Sequence, residues 1–455
     1  MESIFDIPAD LHTPVSAYMR LAPLRPRYLL ESVEGGHTGR YSFIGFGETR
    51  RFTIEPDGVY ADAELIDHDV LQGLRKALAG TPACEPFDST AEPFGGGLVG
   101  VAAFDLVRRL YKLGPAPHPR ATPDGVYVAT DSILVFDHLT RRMALLHAGA
   151  EADRQGLRRE VVDVLRGALE ASHGPASHGS AAPSLTRDQF MEGVEVVKSH
   201  IAAGNVYQLV LSIRFTGETE VEPFAAYRGL RLLNPSPYMY FVDTGDRQVV
   251  GSSPEALARL NAGRAELRPI AGTRPRGRND EEDHRLEREL MADPKEAAEH
   301  VMLVDLARND LGRTAKAGSV VVDPYKVIER YSHVMHMVSG VTADLEEGLD
   351  AFDLFAASFP AGTVSGAPKL RAIEIIDELE PVSRDLYSGS IGYFGHGGSM
   401  DQAITIRTLV FSEGSYSYQA GAGIVADSDP AAEHHEVLSK GAALESALQL
   451  AKEGL

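Results

Sequence analysis

Residues 204–215 read GNVYQLVLSIRF, and this stretch decides the fold class. Gly204 and Asn205 are residue types that end helices, and the residues after them alternate, with Tyr207 to Ile213 in steps of two on one face and Gln208 on the other. The stretch therefore predicts a helix followed directly by a strand. Further strands separated by helices of uneven length, such as residues 415–425, favour an α+β fold over a regular parallel βαβ series.

The chain divides just before this helix. Thr186 and Gln189 have the spacing of a capping box and predict where the helix begins. The preceding residues 171–184, ASHGPASHGSAAPS, are small, polar and without an apolar period, as is typical of linkers. We therefore expect an N-terminal region at 1–170, a linker at 171–185 and a second region at 186–455. Short apolar runs with Gly-rich turns predict a sheet with few helices in the first region.

Composition excludes several classes of protein. With 44 basic and 65 acidic residues the net charge is −21, so we expect neither nucleic acid nor an acidic membrane as a partner. An anionic ligand would need clustered Arg and Lys or a metal ion to reverse this field locally. Because no apolar run of about 18 residues and no signal-peptide pattern occur, a cytoplasmic location is expected. The single Cys84 excludes an internal disulfide and argues against a cysteine nucleophile.

Two pairs of carboxylates carry the clearest chemical signal. Asp293-Pro294 predicts a helix start with Glu296 and Glu299 on one face, and residues 429–436 repeat the design with Glu433 and Glu436. Each helix alone is explained by capping and i,i+4 ion pairs. If the four carboxylates met, a cation would have to relieve their repulsion, and oxygen ligands indicate Mg²⁺.

Other candidates stay ambiguous from spacing alone. The loop PIAGTRPRG at 269–277 is either an anion site or an exposed turn with solvated arginines. The Gly-rich turn at 361–369 leads into a helix but lacks the spacing of a phosphate-binding Walker loop. From spacing alone a structural role is favoured for His336, since a histidine in an apolar strand usually just satisfies a hydrogen bond, and Glu255 and Arg407 could each be half of a structural ion pair.

Taken together, these segments closely resemble anthranilate synthase component I, a family of chorismate-using enzymes. The matching motifs occur in the family's order and cover nearly the whole chain outside the linker: RYLLESV (27–33), GRYSFIG (39–45), NPSPYMYF (234–241), GSSPE (251–255), PIAGTRPRG (269–277), DPKEAAEHVMLVDLARNDLGR (293–313), YSHVMHMVSG (331–340), AGTVSGAPK (361–369), YSGSIGY (387–393), ITIRTLV (404–410) and QAGAGIVADSDPAAEHHEVLSK (419–440).

The resemblance implies a fold of two facing, mostly antiparallel β-sheets surrounded by helices. It also implies a Mg²⁺-dependent reaction in which ammonia replaces the 4-hydroxyl of chorismate at C2, followed by elimination of pyruvate to give anthranilate. By the family's motifs, Glu299 and Glu436 hold Mg²⁺, and Glu296 and Glu433 hold its waters.

The same resemblance implies roles for further residues. Glu255 corresponds to the acid that assists departure of the hydroxyl, and His336 to the group that manages the proton during aromatisation. Gly272 and Thr273 form a wall of the chorismate pocket. The groups that hold the two substrate carboxylates are Thr363, which we also count as catalytic, together with Tyr387, Arg407, Gly421, Ala422, Gly423 and Lys440.

Regulation and assembly also follow from the resemblance. It implies inhibition by L-tryptophan, bound by Glu31 and Ser32 of one motif and Pro237, Tyr238 and Met239 of another. It further implies a separate glutamine amidotransferase subunit, component II, which supplies ammonia, with a heterotetramer as the expected assembly.

Two positions distinguish this predicted activity from the activities of related enzymes. Isochorismate and salicylate synthases carry a water-activating lysine where this chain has Gln208, and aminodeoxychorismate synthases commonly carry a lysine where it has Ala271. Aminodeoxychorismate synthase component I and a catalytically silent regulator that binds chorismate or tryptophan remain the alternatives.

Overall fold

The computed structural model describes residues 4–33, 39–86, 94–111, 113–120, 122–169, 176–330 and 334–455. Within these ranges the chain forms the helices α1 Pro14–Arg20, α2 Val70–Ala79, α3 Val107–Tyr111, α4 Glu151–Arg166, α5 Arg187–Ala202, α6 Pro223–Leu233, α7 Asp280–Ala292, α8 Pro294–Gly312, α9 Ala351–Ser358, α10 Lys369–Leu379 and α11 Pro430–Lys452. No helix in these ranges has both the length and the apolar character needed to cross a membrane.

The strands are mostly short, with two long exceptions near the N-terminus. They are β1 Ile7–Pro8, β2 Tyr28–Glu31, β3 Tyr41–Glu55, β4 Gly58–Ala61, β5 Glu64–Asp67, β6 Gly97–Ala102, β7 Gly125–Asp137, β8 Arg142–His147, β9 Ala182–Pro183, β10 Gln208–Glu218, β11 Tyr238–Asp243, β12 Gln248–Ser253, β13 Ala256–Asn261, β14 Arg264–Leu267, β15 Ile270–Pro275, β16 Val321–Val322, β17 Val327–Arg330, β18 Val334–Val338, β19 Val341–Asp344, β20 Gly366–Ala367, β21 Ser390–Gly395, β22 Met400–Ile404, β23 Thr408–Ser412 and β24 Ser415–Ile424.

The long strands β3 and β7 pair antiparallel and belong to two sheets at once. Residues 41–46 pair with 132–137, and after a register shift between Phe46 and Thr49, residues 49–54 pair with 125–130. Gly47 lies in this bulge with φ +89°, and a Cβ there would meet the Asp131 carboxylate at 2.2 Å. Glycine is therefore required where the paired strands pass from one sheet to the other.

Each end of this strand pair continues into its own antiparallel sheet. The first sheet runs β1–β8–β7–β3–β2–β11–β12–β23–β24–β10 and ends with β9 and β20. The second runs β5–β4–β3–β7–β6–β21–β22–β13–β14–β19–β16. A separate small sheet consists of β15, β18 and β17.

Three apolar cores show how the two sheets and the helices pack against each other. Residues from both sheets, such as Tyr240 of the first and Ile391 of the second, form one buried cluster, so the sheets face each other. The outer face of the first sheet packs against α1, α4, α5, α6, α10 and α11, and that of the second against α2, α8 and α9. The α+β class with two facing antiparallel sheets surrounded by helices is confirmed.

The two predicted regions are interleaved in both sheets. β2 pairs with β11, and β6 pairs with β21. In the predicted linker, residues 171–175 lie outside the described residues, and Ala182–Pro183 pairs with β10. The region boundaries remain a prediction.

A buried ion pair lies at the end of the first sheet that contains β10. Arg384 and Glu380 are 2.7 Å apart, with side chains only 1% and 3% exposed. The guanidinium also donates to the carbonyls of Val210 and Val364, and Glu380 accepts from the backbone N–H and hydroxyl of Ser212. This network fixes α10 and the turn before it against β10.

We predict that Arg384→Met lowers the free energy of unfolding by about 3–5 kcal/mol, because it leaves the Glu380 charge buried without its partner. Urea denaturation followed by circular dichroism measures the change. Arg371→Met is the matched control: Arg371 forms a solvent-exposed ion pair with Glu374, whose loss costs less than about 1 kcal/mol. Equal losses for the two variants would show that the buried pair carries no special weight.

Candidate active site

The helices α8 and α11 begin in the same way. The Asp293 side chain accepts hydrogen bonds from the N–H groups of Lys295 and Glu296, and Asp429 accepts one from Ala432. Proline occupies the first helical position in both. The predicted Asp-Pro helix starts are confirmed, and they place Glu296 and Glu433 in the first turns of their helices with Glu299 and Glu436 one turn further on.

The two helix starts lie close enough for their charges to interact. Burial raises the pKa of Glu299, and the carboxylates of Glu296 and Glu436 raise it further. The pKa of Glu433 is likewise raised by burial and by Glu436. Lys295 and Asp427 connect the two segments at 3.8 Å. The carboxylates of the two helix starts are therefore near enough to repel one another, and a cation between them would relieve that repulsion.

Basic side chains compensate part of this negative charge. Arg274 contacts Asp293 at 2.9 Å and Glu296 at 3.1 Å, and Lys440 contacts Glu436 at 2.8 Å. Arg276 pairs with Asp283, so both loop arginines are engaged by protein carboxylates. The PIAGTRPRG arginines thus support the loop.

The donor set at the two helix starts fits Mg²⁺. In the described part of the chain no three His, Cys, Asp or Glu side chains converge as a complete ligand cluster. Mg²⁺ commonly takes only one or two protein carboxylates and keeps waters or substrate oxygens as its other ligands. Glu299 and Glu436, one from each helix, meet that requirement.

His336 lies opposite Thr273 in the small sheet. Its Nδ1 is 2.9 Å from the Thr273 hydroxyl and 3.4 Å from the Gly272 carbonyl. Burial lowers the pKa of His336, which favours the neutral imidazole at neutral pH. Gly272 has φ +70°, and a Cβ there would meet Glu296 Oε2 at 3.0 Å, so glycine is needed where β15 bulges toward α8.

A cavity of about 330 Å³, open to solvent, adjoins these groups. It collects the predicted residues Thr273, His336, Arg407, Glu436 and Lys440 with Pro237 of the predicted tryptophan motif. The remaining lining residues are Asn234, Pro235, Ser236, Pro254, Ile270, Val334, Ser439 and Ala443. Of these, Ser439 lies three residues after Glu436 on one helix face, a spacing that could have identified it from the sequence.

Glu255 borders a smaller cavity of about 40 Å³ together with Thr363. Burial raises the pKa of Glu255 to about 7, although Thr363, Lys440 and Arg407 act to lower it. The Thr363 hydroxyl is buried and lies near enough to Glu255 to lower that pKa, although it forms no hydrogen bond of ordinary length and angle to the described residues. A carboxyl that is partly protonated near neutral pH is suited to general acid catalysis.

The glycines of β24 permit close approach of polar groups. A Cβ at Gly421 would meet the Tyr387 hydroxyl at 2.7 Å, and one at Gly423 would meet the Gln208 amide nitrogen at 3.0 Å. Lys440 Nζ donates to the Gly421 carbonyl at 2.9 Å. The Ala422 side chain is buried in the core beneath this surface. Burial raises the pKa of Tyr387 to about 12, so its hydroxyl stays protonated and able to donate.

The predicted tryptophan residues form a second group. Glu31 and Met239 are partners in the β2–β11 pair, and Val33 N–H lies 3.5 Å from the Ser236 carbonyl. The Ser32 hydroxyl is buried and without a hydrogen bond to the described residues. The Tyr238 hydroxyl donates to Asp401 at 2.9 Å.

Sequence reasoning missed the groups that already contact Glu31. Its carboxylate lies 3.1 Å from Arg231 and accepts a hydrogen bond from Tyr227. An ammonium group bound by Glu31 would therefore share the carboxylate with Arg231. Both partners lie on α6, far from Glu31 in sequence, so no local spacing indicated them.

Comparison with known proteins supports the expected resemblance. The family described as chorismate binding enzyme matches residues 25–446. Anthranilate synthase component 1 of Thermus thermophilus is 45% identical, over 98% of this chain and 97% of the relative, and that of Pseudomonas putida is 44% identical, over 98% and 94%.

Solved structures agree with the sequence relatives. Anthranilate synthase component I of Streptococcus pneumoniae has a TM-score of 0.81 at 35% identity, covering 96% of this chain and 98% of that chain. The menaquinone-specific isochorismate synthase of Escherichia coli has a TM-score of 0.72 at 20% identity, covering 95% and 91%, and shows a shared fold alone. The matched residues, the full-length relatives and the superposed fold together establish that the chain belongs to the family of chorismate binding enzymes.

Proposed function

We propose that the chain is the chorismate-converting component of anthranilate synthase, which forms anthranilate, pyruvate and water from chorismate and ammonia. The observation that carries this proposal is one cavity that joins His336, Arg407, Lys440 and Glu436, with the raised-pKa acid Glu255 beside it. The names of the full-length relatives support the same reaction.

Substrate binding follows from the charges in the cavity. Chorismate is a dianion, and a protein of net charge −21 repels it on average. Arg407 and Lys440 supply local positive charge in the cavity, and the Tyr387 hydroxyl, next to Gly421, is a neutral donor. Mg²⁺ held by Glu299 and Glu436, with Glu296 and Glu433 orienting its waters, would add positive charge toward the ring carboxylate.

Glu255 and His336 then divide the proton transfers. Glu255 gives its proton to the departing 4-hydroxyl, which leaves as water while ammonia forms the new bond to C2. The neutral imidazole of His336 takes the C2 proton as the enolpyruvyl group leaves and the ring becomes aromatic. The enolpyruvate is released as pyruvate after protonation.

The single cysteine of the chain is not suited to be the nucleophile for glutamine hydrolysis. Cys84 is buried, and burial raises its thiol pKa to about 12, so it is not a thiolate at neutral pH. We therefore propose that a separate glutamine amidotransferase subunit supplies ammonia when glutamine is the nitrogen source.

We predict that the purified chain forms anthranilate from chorismate, ammonium and Mg²⁺, and that it uses glutamine only when an amidotransferase subunit is added. Anthranilate fluorescence measures both reactions. Glutamine-dependent turnover by the chain alone would contradict the proposal.

We predict that Glu299→Gln or Glu436→Gln abolishes Mg²⁺-dependent turnover while the fold is retained, because each removes a ligand charge at a helix start. Asp305→Asn is the matched control, since Asp305 lies exposed on α8 and, within the described residues, forms an ion pair only with Arg308. Titrating Mg²⁺ against initial rate measures the effect. Near-normal rates with unchanged Mg²⁺ dependence in both glutamate variants would favour the capping explanation.

We also propose feedback inhibition by tryptophan at the group around Glu31 and Ser32. The buried Ser32 hydroxyl, which has no hydrogen-bond partner in the described part of the chain, is available to a ligand, and Met239 provides an adaptable apolar wall. Pro237 lines the large cavity, so a ligand at this group would contact a segment shared with the substrate site. Inhibition then requires two conformations of the protein that differ in their affinity for tryptophan. Chorismate and tryptophan must also reduce each other's binding affinity by the same factor.

We predict that Ser32→Arg fills the tryptophan pocket and relieves inhibition by orders of magnitude in tryptophan concentration, with uninhibited turnover nearly unchanged. Ser199→Arg, the same change on an exposed face of α5, is the control. Anthranilate formation against tryptophan concentration is measured for all three proteins. An unaltered inhibition curve for Ser32→Arg would remove this pocket from the account.

A further inference from the structure

Side chains from α3, from the residue that follows α8 and from α10 contact the C-terminal end of α9. The Tyr111 hydroxyl lies 3.3 Å from the Ala356 carbonyl, and Arg313 Nη1 lies 3.1 Å from the Ala357 carbonyl. Lys369 Nζ lies 3.4 Å from the Ser358 carbonyl. These are carbonyls that a helix end leaves without partners, and cations are favourable there because the helix dipole is negative at that end.

Lys369 is a buried charge with one carboxylate partner among the described ion pairs. Its Nζ is 3.5 Å from Asp310, and the two side chains are 14% and 10% exposed. Burial lowers the pKa of Lys369 and raises that of Asp310, while each partner acts in the opposite direction on the other. Removing either member would leave an uncompensated charge, so this contact differs from a surface salt bridge.

The segment that follows α9 carries Thr363. It contains the 3-10 turn Gly362–Val364, across which the Ser365 hydroxyl donates to the Ala361 carbonyl at 2.8 Å. Arg384 donates a hydrogen bond to the carbonyl of Val364, the last residue of the turn, at 2.7 Å. The segment is therefore anchored by Lys369 before Thr363 and by Arg384 after it.

The two residues that Lys369 contacts also border the cavity beside Glu255. Asp310 and Ser358 line the same small cavity as Thr363 and Glu255. The Thr363 hydroxyl has no hydrogen bond of ordinary length and angle within the described ranges, so its position depends on the turn that carries it.

We infer that Lys369 is a positioning residue for the acid step: by binding the Ser358 carbonyl and Asp310 together, it holds the turn that places the Thr363 hydroxyl beside Glu255. This inference rests on the proposed function of Glu255 as the general acid. Neither the motif AGTVSGAPK nor its spacing assigns this role to the lysine.

The inference has a specific consequence for pH dependence. The Thr363 hydroxyl lowers the pKa of Glu255, because it stabilises the charged carboxylate. If the turn moves away, that stabilisation is lost and the Glu255 pKa rises. Since the acid acts in its protonated form, the basic limb of the kcat/KM profile then moves to higher pH while kcat falls.

The test compares Lys369→Met with Arg371→Met, which removes an exposed cation from the same helix end. For Lys369→Met we expect kcat to fall roughly tenfold or more, within the about 10²–10⁴-fold that a general acid contributes, with a smaller change in KM for chorismate. The basic limb of its kcat/KM profile moves to higher pH. Lys369→Arg, which keeps a charge and a donor, restores the profile, and Arg371→Met does not move it.

Thr363→Val provides the coupling measurement. If Lys369 acts through Thr363, the variant carrying both Lys369→Met and Thr363→Val shows no larger shift than Thr363→Val alone. Additive shifts, or a loss of kcat in Lys369→Met with an unmoved profile, would overturn the inference and leave Lys369 a structural residue.

Hydrogen exchange of residues 359–366 gives a readout that needs no turnover. We expect faster exchange in Lys369→Met than in Arg371→Met, and equal exchange would contradict the inference.

Should Lys369→Met fail to fold, the variant that also carries Asp310→Asn avoids the unpaired charge and still lacks the donor to Ser358. Absence of anthranilate formation by the unaltered chain would contradict the proposed function, whereas a normal profile that Lys369→Met leaves unchanged would contradict this inference alone.

Discussion

The antiparallel pairing of β3 with β7 is the constraint on which the rest of the structure depends. Because the pair crosses from one sheet to the other at the Gly47 bulge, the two sheets must face each other and share one apolar core. N-terminal strands are then built into the interior of both sheets, where β2 contacts β11 and β6 contacts β21. A ligand at β2 therefore acts on strands that continue to the substrate cavity, which gives the proposed regulation a physical path.

Charge placement is the second constraint. The chain is acidic overall, yet the cavity gathers Arg407 and Lys440 beside two helix starts whose carboxylates repel one another. Lys440 joins these features, since it contacts Glu436 and the Gly421 carbonyl. The buried Glu255 is held near the pKa that an acid needs at neutral pH. This arrangement is suited to an anionic substrate that loses a hydroxyl group.

Local sequence patterns predicted local structure well. The Thr186 capping box and the apolar face of Leu209 and Ile213 are confirmed. Tyr207 was wrongly placed on that face: it is 71% exposed because the strand begins one residue later, at Gln208. Long-range arrangement could not be predicted, because strand order and the approach of α8 to α11 depend on packing between distant segments. The Lys369–Asp310 pair was missed for the same reason, since its members are far apart in the chain and neither has a diagnostic spacing.

The central claim is that this cavity aminates chorismate and then aromatises the ring. The most direct test supplies the purified chain with chorismate, Mg²⁺ and ¹⁵N-labelled ammonium and identifies the products by NMR and mass spectrometry. The account predicts anthranilate with ¹⁵N in its amino group, formed together with an equal amount of pyruvate. A labelled product that accumulates with its enolpyruvyl side chain intact, or a hydroxylated product without nitrogen, would contradict it.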